Sequence, residues 1–281
     1  LVFKDEAIIG GYVYSFAFLL VGYHLFKINN LKKYNLTIFL LILFVLLFTV
    51  ISTGERSTSI KFFVSLLIFL FFYDKISIGK KLIYTISFLV IISLLILNND
   101  YLKHRMFDSI KHSAKTFTSS FQHGLPWDNP SGNLYAKLYR SGYDVFKKYP
   151  YFGVGNKNYR VETCNTFYQA NIHLLRNDYV CETHPHQIYF EFISEHGAVG
   201  TVILLGILLF IFFKTINKVL LSRNYIGLGC IAFIIPIFTP LLPSGAFFSD
   251  FNITLFFLNL SLVFATTKNL NVFNYLKNEK K

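Results

Sequence analysis

Seven apolar runs, each about as long as a bilayer's hydrocarbon core is thick, dominate this chain. They fall at 8–26, 36–53, 57–73, 82–98, 190–213, 225–242 and 246–266. A helix needs roughly 17–25 apolar residues to cross, and within lipid a helix satisfies its own backbone. The chain is therefore expected to be all-α: a polytopic transmembrane helix bundle with one long extracytoplasmic loop of short helices. Composition points the same way. Only 15% of residues are charged, against roughly 25% in a soluble domain, and a chain so poor in polar groups cannot cover its own surface.

The connections between runs carry the orientation. Residues 27–35 hold Lys27, Lys32 and Lys33; 74–81 hold Lys75, Lys80 and Lys81; 214–224 hold Lys214, Lys218 and Arg223. The tail adds Lys268, Lys277, Lys280 and Lys281. Lys-rich connections stay cytoplasmic, so the net charge of +12 reads as loop charge, with no nucleic-acid partner. On this topology "TGERS" (53–57), the long segment 99–187 and the turn near 243 lie on the far side. Four spans are expected within 1–98, a periplasmic loop domain at 99–187, three spans at 188–267 and a cytoplasmic tail at 268–281. The chain opens at Leu1 on a charged "FKDE" without a secretory leader pattern, and is read as continuing from a longer chain with earlier helices.

Cys164 and Cys181 fall in the translocated segment, which an oxidising compartment would surround. They are expected to form a disulfide. Cys230, inside an apolar run, reads as a small buried hydrophobe.

The richest chemistry stands at "CETHPHQIYFEFISEHGAVG" (181–200). Gln187, Glu191 and Glu195 recur at i, i+4 and i+8, one face of a helix. Ile188, Phe192 and Val199 take the other side. Pro185 suits a first helical turn, so His184 and His186 flank the helix start with a polar stripe below them. Ionisable groups at such depth face a cavity; the plainer reading is interfacial anchoring with a structural glutamate. Gly197 and Gly200 read as packing residues.

Three further stretches carry charge near a span. In "TGERSTSIKFF", Arg56 and Lys61 offer cations for phosphate oxygens, unless Glu55 and Arg56 merely pair at the surface. In "YPYFGVGNKNYR", a turn at Gly153 and Gly155 precedes Lys157 and Arg160, and backbone amides with cations can hold an anion; an ordinary loop is the alternative. "FKDEAIIGGYVY" sets Asp5 and Glu6 before the close-packing pair Gly10 and Gly11. A metal is not expected. His184 and His186 with Glu191 or Glu195 lack a zinc-type spacing, and neither a G-x-S-x-G nor a phosphate-loop motif occurs.

"FKDEAIIGGY", "TGERS", "YPYFGVGNKNYR" and "CETHPHQIYFEFISEHGAVG", in this order around a long outer loop, resemble the O-antigen ligase/O-antigen polymerase family. The resemblance runs from about residue 3 to 213, and the H-x-H…E-x-G-x-x-G pattern is its most specific part. Family members usually have Asn where this chain has Gln187, and they are longer, with more spans.

The resemblance implies a multi-pass protein of the bacterial inner membrane, with its active site facing the periplasm and no cofactor or metal. Its donor would be a glycan on undecaprenyl diphosphate, and its acceptor the hydroxyl of another glycan or of lipid A core. Arg56 and Arg160, helped by Lys61 and Lys157, would hold the diphosphate. His186 would be the base, with His184 as its alternate. Glu195 or Glu191 would orient the imidazole or bind sugar. "DE…GG", "GERS" and the cysteine pair incline the reading toward a polymerase. The competing reading is a transporter or flippase of lipid-linked sugars, which needs the cations but no base.

Overall fold

The computed structural model describes residues 9–27, 33–108, 134–165, 179–267 and Leu270. The Asp5–Glu6 motif, residues 109–133 and most of the tail lie outside them. Among the described residues all regular structure is helical and no strand occurs.

The long helices are α1 (Ile9–Lys27), α2 (Lys33–Ser52), α3 (Arg56–Phe72) and α4 (Ile78–Leu97). A short α5 (Asp100–Lys103) runs into a π-helical turn. Then come α6 (Leu134–Lys148), α7 (Tyr159–Thr163), α8 (Ile188–Leu221), α9 (Tyr225–Ile234) with a 3-10 turn, and α10 (Asp250–Thr266). Three of these, α1, α4 and α8, are long and apolar enough to cross a membrane; 38–52, 225–238 and 250–266 are shorter apolar helices.

Three sequence expectations shift. Helical structure after Tyr225 ends at Phe238, short of 242, because Pro240 and Pro243 follow. The last helix begins at Asp250 and not at 246, so residues 239–249 form a loop. Pro185 lies ahead of the helix it was expected to open, which starts at Ile188.

The chain divides into two compact units. One comprises Leu1–Asp108, Phe212–Thr239 and Leu255–Lys281; the other comprises Ser109–Ile211 and Pro240–Thr254.

In the first unit α1 packs on α9, α2 and α3. Gly22 and Gly229 permit backbone contact between α1 and α9: a Cβ on Gly22 would strike the Tyr225 carbonyl, and one on Gly229 the Phe18 carbonyl. The buried Tyr14 hydroxyl donates to the Phe233 carbonyl and shares a hydrogen bond with Ser65 Oγ, each at 3.0 Å, which ties α1, α3 and α9 together. Phe18 packs between Phe62 and Phe69, with centroids 4.9 and 6.1 Å away. Arg56 opens α3, and Lys61 lies within it. The Glu55 carboxylate accepts the Thr58 hydroxyl at 2.6 Å, and a Cβ on Gly10 would strike Thr53 Oγ1 and that same carboxylate. So Gly10 of the "FKDEAIIGGYVY" stretch meets the "TGERS" turn, while Gly11 has no neighbour at its Cβ position.

In the second unit α6 buries Leu138, Ser141, Gly142 and Val145, an i, i+3, i+4, i+7 stripe. Tyr159 and Tyr179 pack with Val145 beneath it. Cys164, just past α7, is disulfide-bonded to Cys181.

Candidate functional site

The second unit contains an open cavity of about 330 Å³. Three stretches of sequence, distant from one another, form its walls.

The first wall is the loop between α6 and α7. It docks on α8 where that helix breaks, at Gly197 with φ 62° and ψ −170°. Val154 N and Gly155 N donate to the Ser194 and Glu195 carbonyls at 3.0 and 2.8 Å; Ala198 N and Val199 N donate back to Pro150 and Tyr151 at 2.8 and 3.1 Å. A Cβ on Gly153 would strike the backbone of Glu195 and Gly197, and one on Gly197 would strike the backbone of Tyr151 and Phe152. Both have positive φ, which glycine adopts freely.

The glycine turn expected to hold an anion is thus spent on this docking. The anion that its end does hold is the protein's own: Lys157 N donates to Glu195 Oε2 at 2.9 Å. Lys157 itself has φ 61°, and its ammonium pairs with Asp250 at 2.9 Å. One turn on, α7 brings exposed Arg160 to the cavity. Among the described residues Arg160 has no ion-pair partner.

The second wall is 179–187. Ser141 Oγ, fully buried, accepts from Val180 N at 3.0 Å and from Tyr159 Oη at 2.6 Å. One hydroxyl therefore holds both the Arg160 helix and the segment leading to the histidines. His184 lines the cavity, bonded to Thr183 Oγ1 through Nδ1 at 2.9 Å and to the Ser244 carbonyl through Nε2 at 3.3 Å. A carbonyl only accepts, so this pattern assigns the proton to Nε2 and leaves the Nδ1 lone pair toward the Thr183 hydroxyl.

His186 stacks on His184 with centroids 4.0 Å apart. Its φ of 54° is unusual for a residue with a Cβ and turns the chain into α8. Gln187 caps that helix: its Oε1 accepts Tyr189 N and Phe190 N at 2.8 and 3.0 Å. An amide at this position thus has a structural task that Asn would also perform.

The third wall, 240–250, had only been read as a turn and the start of a span. Ser244 N donates to the His186 carbonyl at 2.9 Å. Phe247 N and Phe248 N donate to the two carboxylate oxygens of Glu191, at 2.8 and 3.3 Å. Phe248, Ser249 and Asp250 then line the cavity. The proline-glycine run "PLLPSGAFFSD" was the available signal for this loop.

Glu191 and Glu195 are 1% and 2% exposed, and each takes its bonds from a different wall. The polar stripe read from the sequence is thus a spine, with one carboxylate for each loop. An unpaired buried amide costs about 1–3 kcal/mol, which is why the loops need these acceptors.

Burial, together with the neighbouring His186, lowers the His184 imidazole from its ordinary 6.5 to about 4. Burial lowers His186 as well, with Glu182 opposing. The cavity thus makes both imidazoles less basic than an ordinary histidine. Among the described residues no group of three or more His, Cys, Asp or Glu gathers as metal ligands would.

The fold and this cavity define a polytopic helical membrane protein with cations, imidazoles and carboxylates beside a span. Residues 40–205 match the protein-family model described as O-antigen ligase. The match covers more than half of the chain, and the chain belongs to the O-antigen ligase family, membrane enzymes that act on lipid-linked glycans. No curated protein and no solved structure matched it.

Proposed function

We propose that this chain transfers a glycan from undecaprenyl diphosphate to an acceptor sugar hydroxyl at the periplasmic face of a bacterial inner membrane, and that the cavity of the second unit holds the reacting groups. The observation that carries the reading is the convergence of Lys157, Arg160 and His184 on one cavity. The Lys-rich connections and the Cys164–Cys181 disulfide support the orientation.

The acceptor oxygen attacks the anomeric carbon. The new C–O bond forms as the bond from that carbon to the diphosphate oxygen breaks, and the electron pair leaves with the lipid diphosphate. Arg160 and Lys157 stabilise the departing charge. The hydroxyl proton passes to an imidazole. Of the pair, His184 is the better placed, through Nδ1, with Thr183 giving way to the acceptor hydroxyl. His186 buttresses the ring. Glu191 and Glu195 act through the loops they hold. Such a single displacement inverts the anomeric centre and needs no metal, because the two cations carry the leaving charge. Arg56 and Lys61, in the first unit, keep the diphosphate-binding role that the sequence resemblance implies, and Arg56→Ala should then weaken donor binding.

The test is transfer by the purified protein in vesicles charged with a polyprenyl-diphosphate-linked oligosaccharide, scoring both the new glycoside and the released lipid diphosphate. Wild type should form both. His184→Ala should slow transfer by about 10²–10⁴-fold with donor binding retained, and Arg160→Ala should weaken binding and transfer together. Donor crossing the bilayer with no glycoside formed would establish a transporter instead. Supplying lipid A core or a second donor molecule as acceptor separates ligase from polymerase.

A further inference from the structure

The loop that forms the first wall carries two aromatic side chains that take no part in the cavity. Tyr151 is 70% exposed and Phe152 is 76% exposed, although Pro150, Tyr151, Val154 and Gly155 on either side are all pinned by backbone hydrogen bonds to α8. Their exposure is therefore a property of an ordered loop.

What they lie beside is set by those same bonds. Ala198 N and Val199 N donate to Pro150 and Tyr151, so the aromatic pair is held level with the first residues after the Gly197 break. From that point α8 presents an apolar, uncovered surface: Val199 is 42% exposed, Val202 70%, Ile203 57%, Ile207 53% and Phe210 65%. The stretch 198–221, at about 1.5 Å per residue, is roughly 36 Å long, enough for a hydrocarbon core of about 30 Å. The 188–196 turns before the break hold buried glutamates, so the membrane surface falls at or near the break itself. Aromatic side chains concentrate at that depth because ring and polar tip suit the boundary.

We propose that Tyr151 and Phe152 are a membrane-interface anchor that dips into the headgroup region of the outer leaflet beside the break in α8. The occupant of this surface is lipid, and the ground is continuity: backbone hydrogen bonds hold the exposed pair against the first residues of an α8 surface that stays exposed at Val199, Val202, Ile203, Ile207 and Phe210. A consequence follows for the cavity. Gly155 and Lys157 bond Glu195 in the same turn, so the anchor fixes the cations of the first wall at headgroup depth. The anchor itself does not depend on which reaction the cavity performs.

The test uses depth-dependent quenching in the full chain. The sequence has a single tryptophan, Trp127. In a Trp127→Phe background, Phe152→Trp places one reporter on the loop, and Tyr151→Trp supplies an independent second. Each protein is reconstituted into phosphatidylethanolamine–phosphatidylglycerol vesicles that contain nitroxide lipids labelled either near the headgroup or deep in the chain.

The anchor requires blue-shifted emission that loses most of its intensity to the shallow nitroxide, less to the deep one, and little to aqueous iodide. Emission quenched by iodide and indifferent to both nitroxides would overturn it. So would a reporter shielded from iodide and nitroxides alike, since a protein surface would then cover the pair.

Discussion

The backbone amide of Lys157 donates to Glu195 Oε2 at 2.9 Å, joining positions 38 residues apart. This bond fixes the loop that brings both cations to the cavity, and it uses a carboxylate that is itself 2% exposed. Replacing it should be costly and the cost should depend on shape. Glu195→Ala is expected to destabilise the second unit by about 1–3 kcal/mol, because the Lys157 amide loses its acceptor. Glu195→Gln keeps a carbonyl oxygen there and should recover most of the loss. Hydrogen exchange at the Lys157 amide checks this: faster exchange in the alanine variant alone is the expected pattern.

The Lys157–Asp250 pair lies at the cavity edge, with side chains 59% and 96% exposed. Exposed pairs contribute little to stability, so a donor diphosphate can displace Asp250 from Lys157 cheaply. Asp250→Asn removes the competing anion. Donor KM should fall about two- to five-fold at low salt, and the gain should shrink as salt screens Lys157. Thermal stability should be unchanged. An unaltered KM would mean that Lys157 does not meet the donor.

The sequence revealed the helices more completely than it revealed the cavity. Long apolar runs report burial in lipid directly, and each of the seven read from the sequence overlaps a helix. Their ends were less visible where a loop is itself apolar. Ala246, Phe247 and Phe248 look like the start of a span, yet they form the wall whose amides bind Glu191. The glycines at 153 and 155 announced a tight turn, but local pattern cannot show that the matching backbone lies at Gly197. The His-x-His spacing likewise exposed two candidates without showing which one faces the cavity. That ring is held by its neighbour Thr183 and by the Ser244 carbonyl 60 residues away, and the second of these no local pattern could show.

The Cys164–Cys181 disulfide and the two hydrogen bonds to Ser141 Oγ both join the Arg160 helix to the histidine wall, beside a longer Tyr179–Glu162 hydrogen bond of 3.4 Å. Breaking the first should leave the second. Cys164→Ser is expected to cost about 2–4 kcal/mol through loop entropy while leaving measurable transfer. Ser141→Ala strands the Val180 amide and should cost about 1–3 kcal/mol. Because the two restraints hold the same pair of segments, the double variant should lose transfer by more than the product of the single losses. Simple multiplicative losses would show that the restraints act independently.

The lowered His184 sets the direction of its own contribution to pH dependence. An unfolded chain would bind a proton at His184 near pH 6.5, whereas the folded cavity refuses it until about pH 4. Between these values the unfolded state holds more protons at His184, so this residue's contribution to stability rises with pH, while Glu191, raised by burial to about 7, and Glu195, also raised by burial, contribute in the opposite sense. The His184 effect is full above pH 6.5 and amounts to at most roughly 3 kcal/mol by pH 4. The same shift keeps the imidazole neutral, and able to accept a proton, throughout the range from pH 5 to 8. Transfer should therefore stay level as pH falls through 6.5, with its acid limb appearing nearer 4. A histidine at its ordinary value would instead halve the rate at 6.5. His184→Gln should abolish the low-lying limb along with transfer, whereas His186→Gln, which removes a neighbour that lowers His184, should move the limb upward. An acid limb at 6.5 in the wild type, unmoved by His186→Gln, would assign the base to a group other than His184.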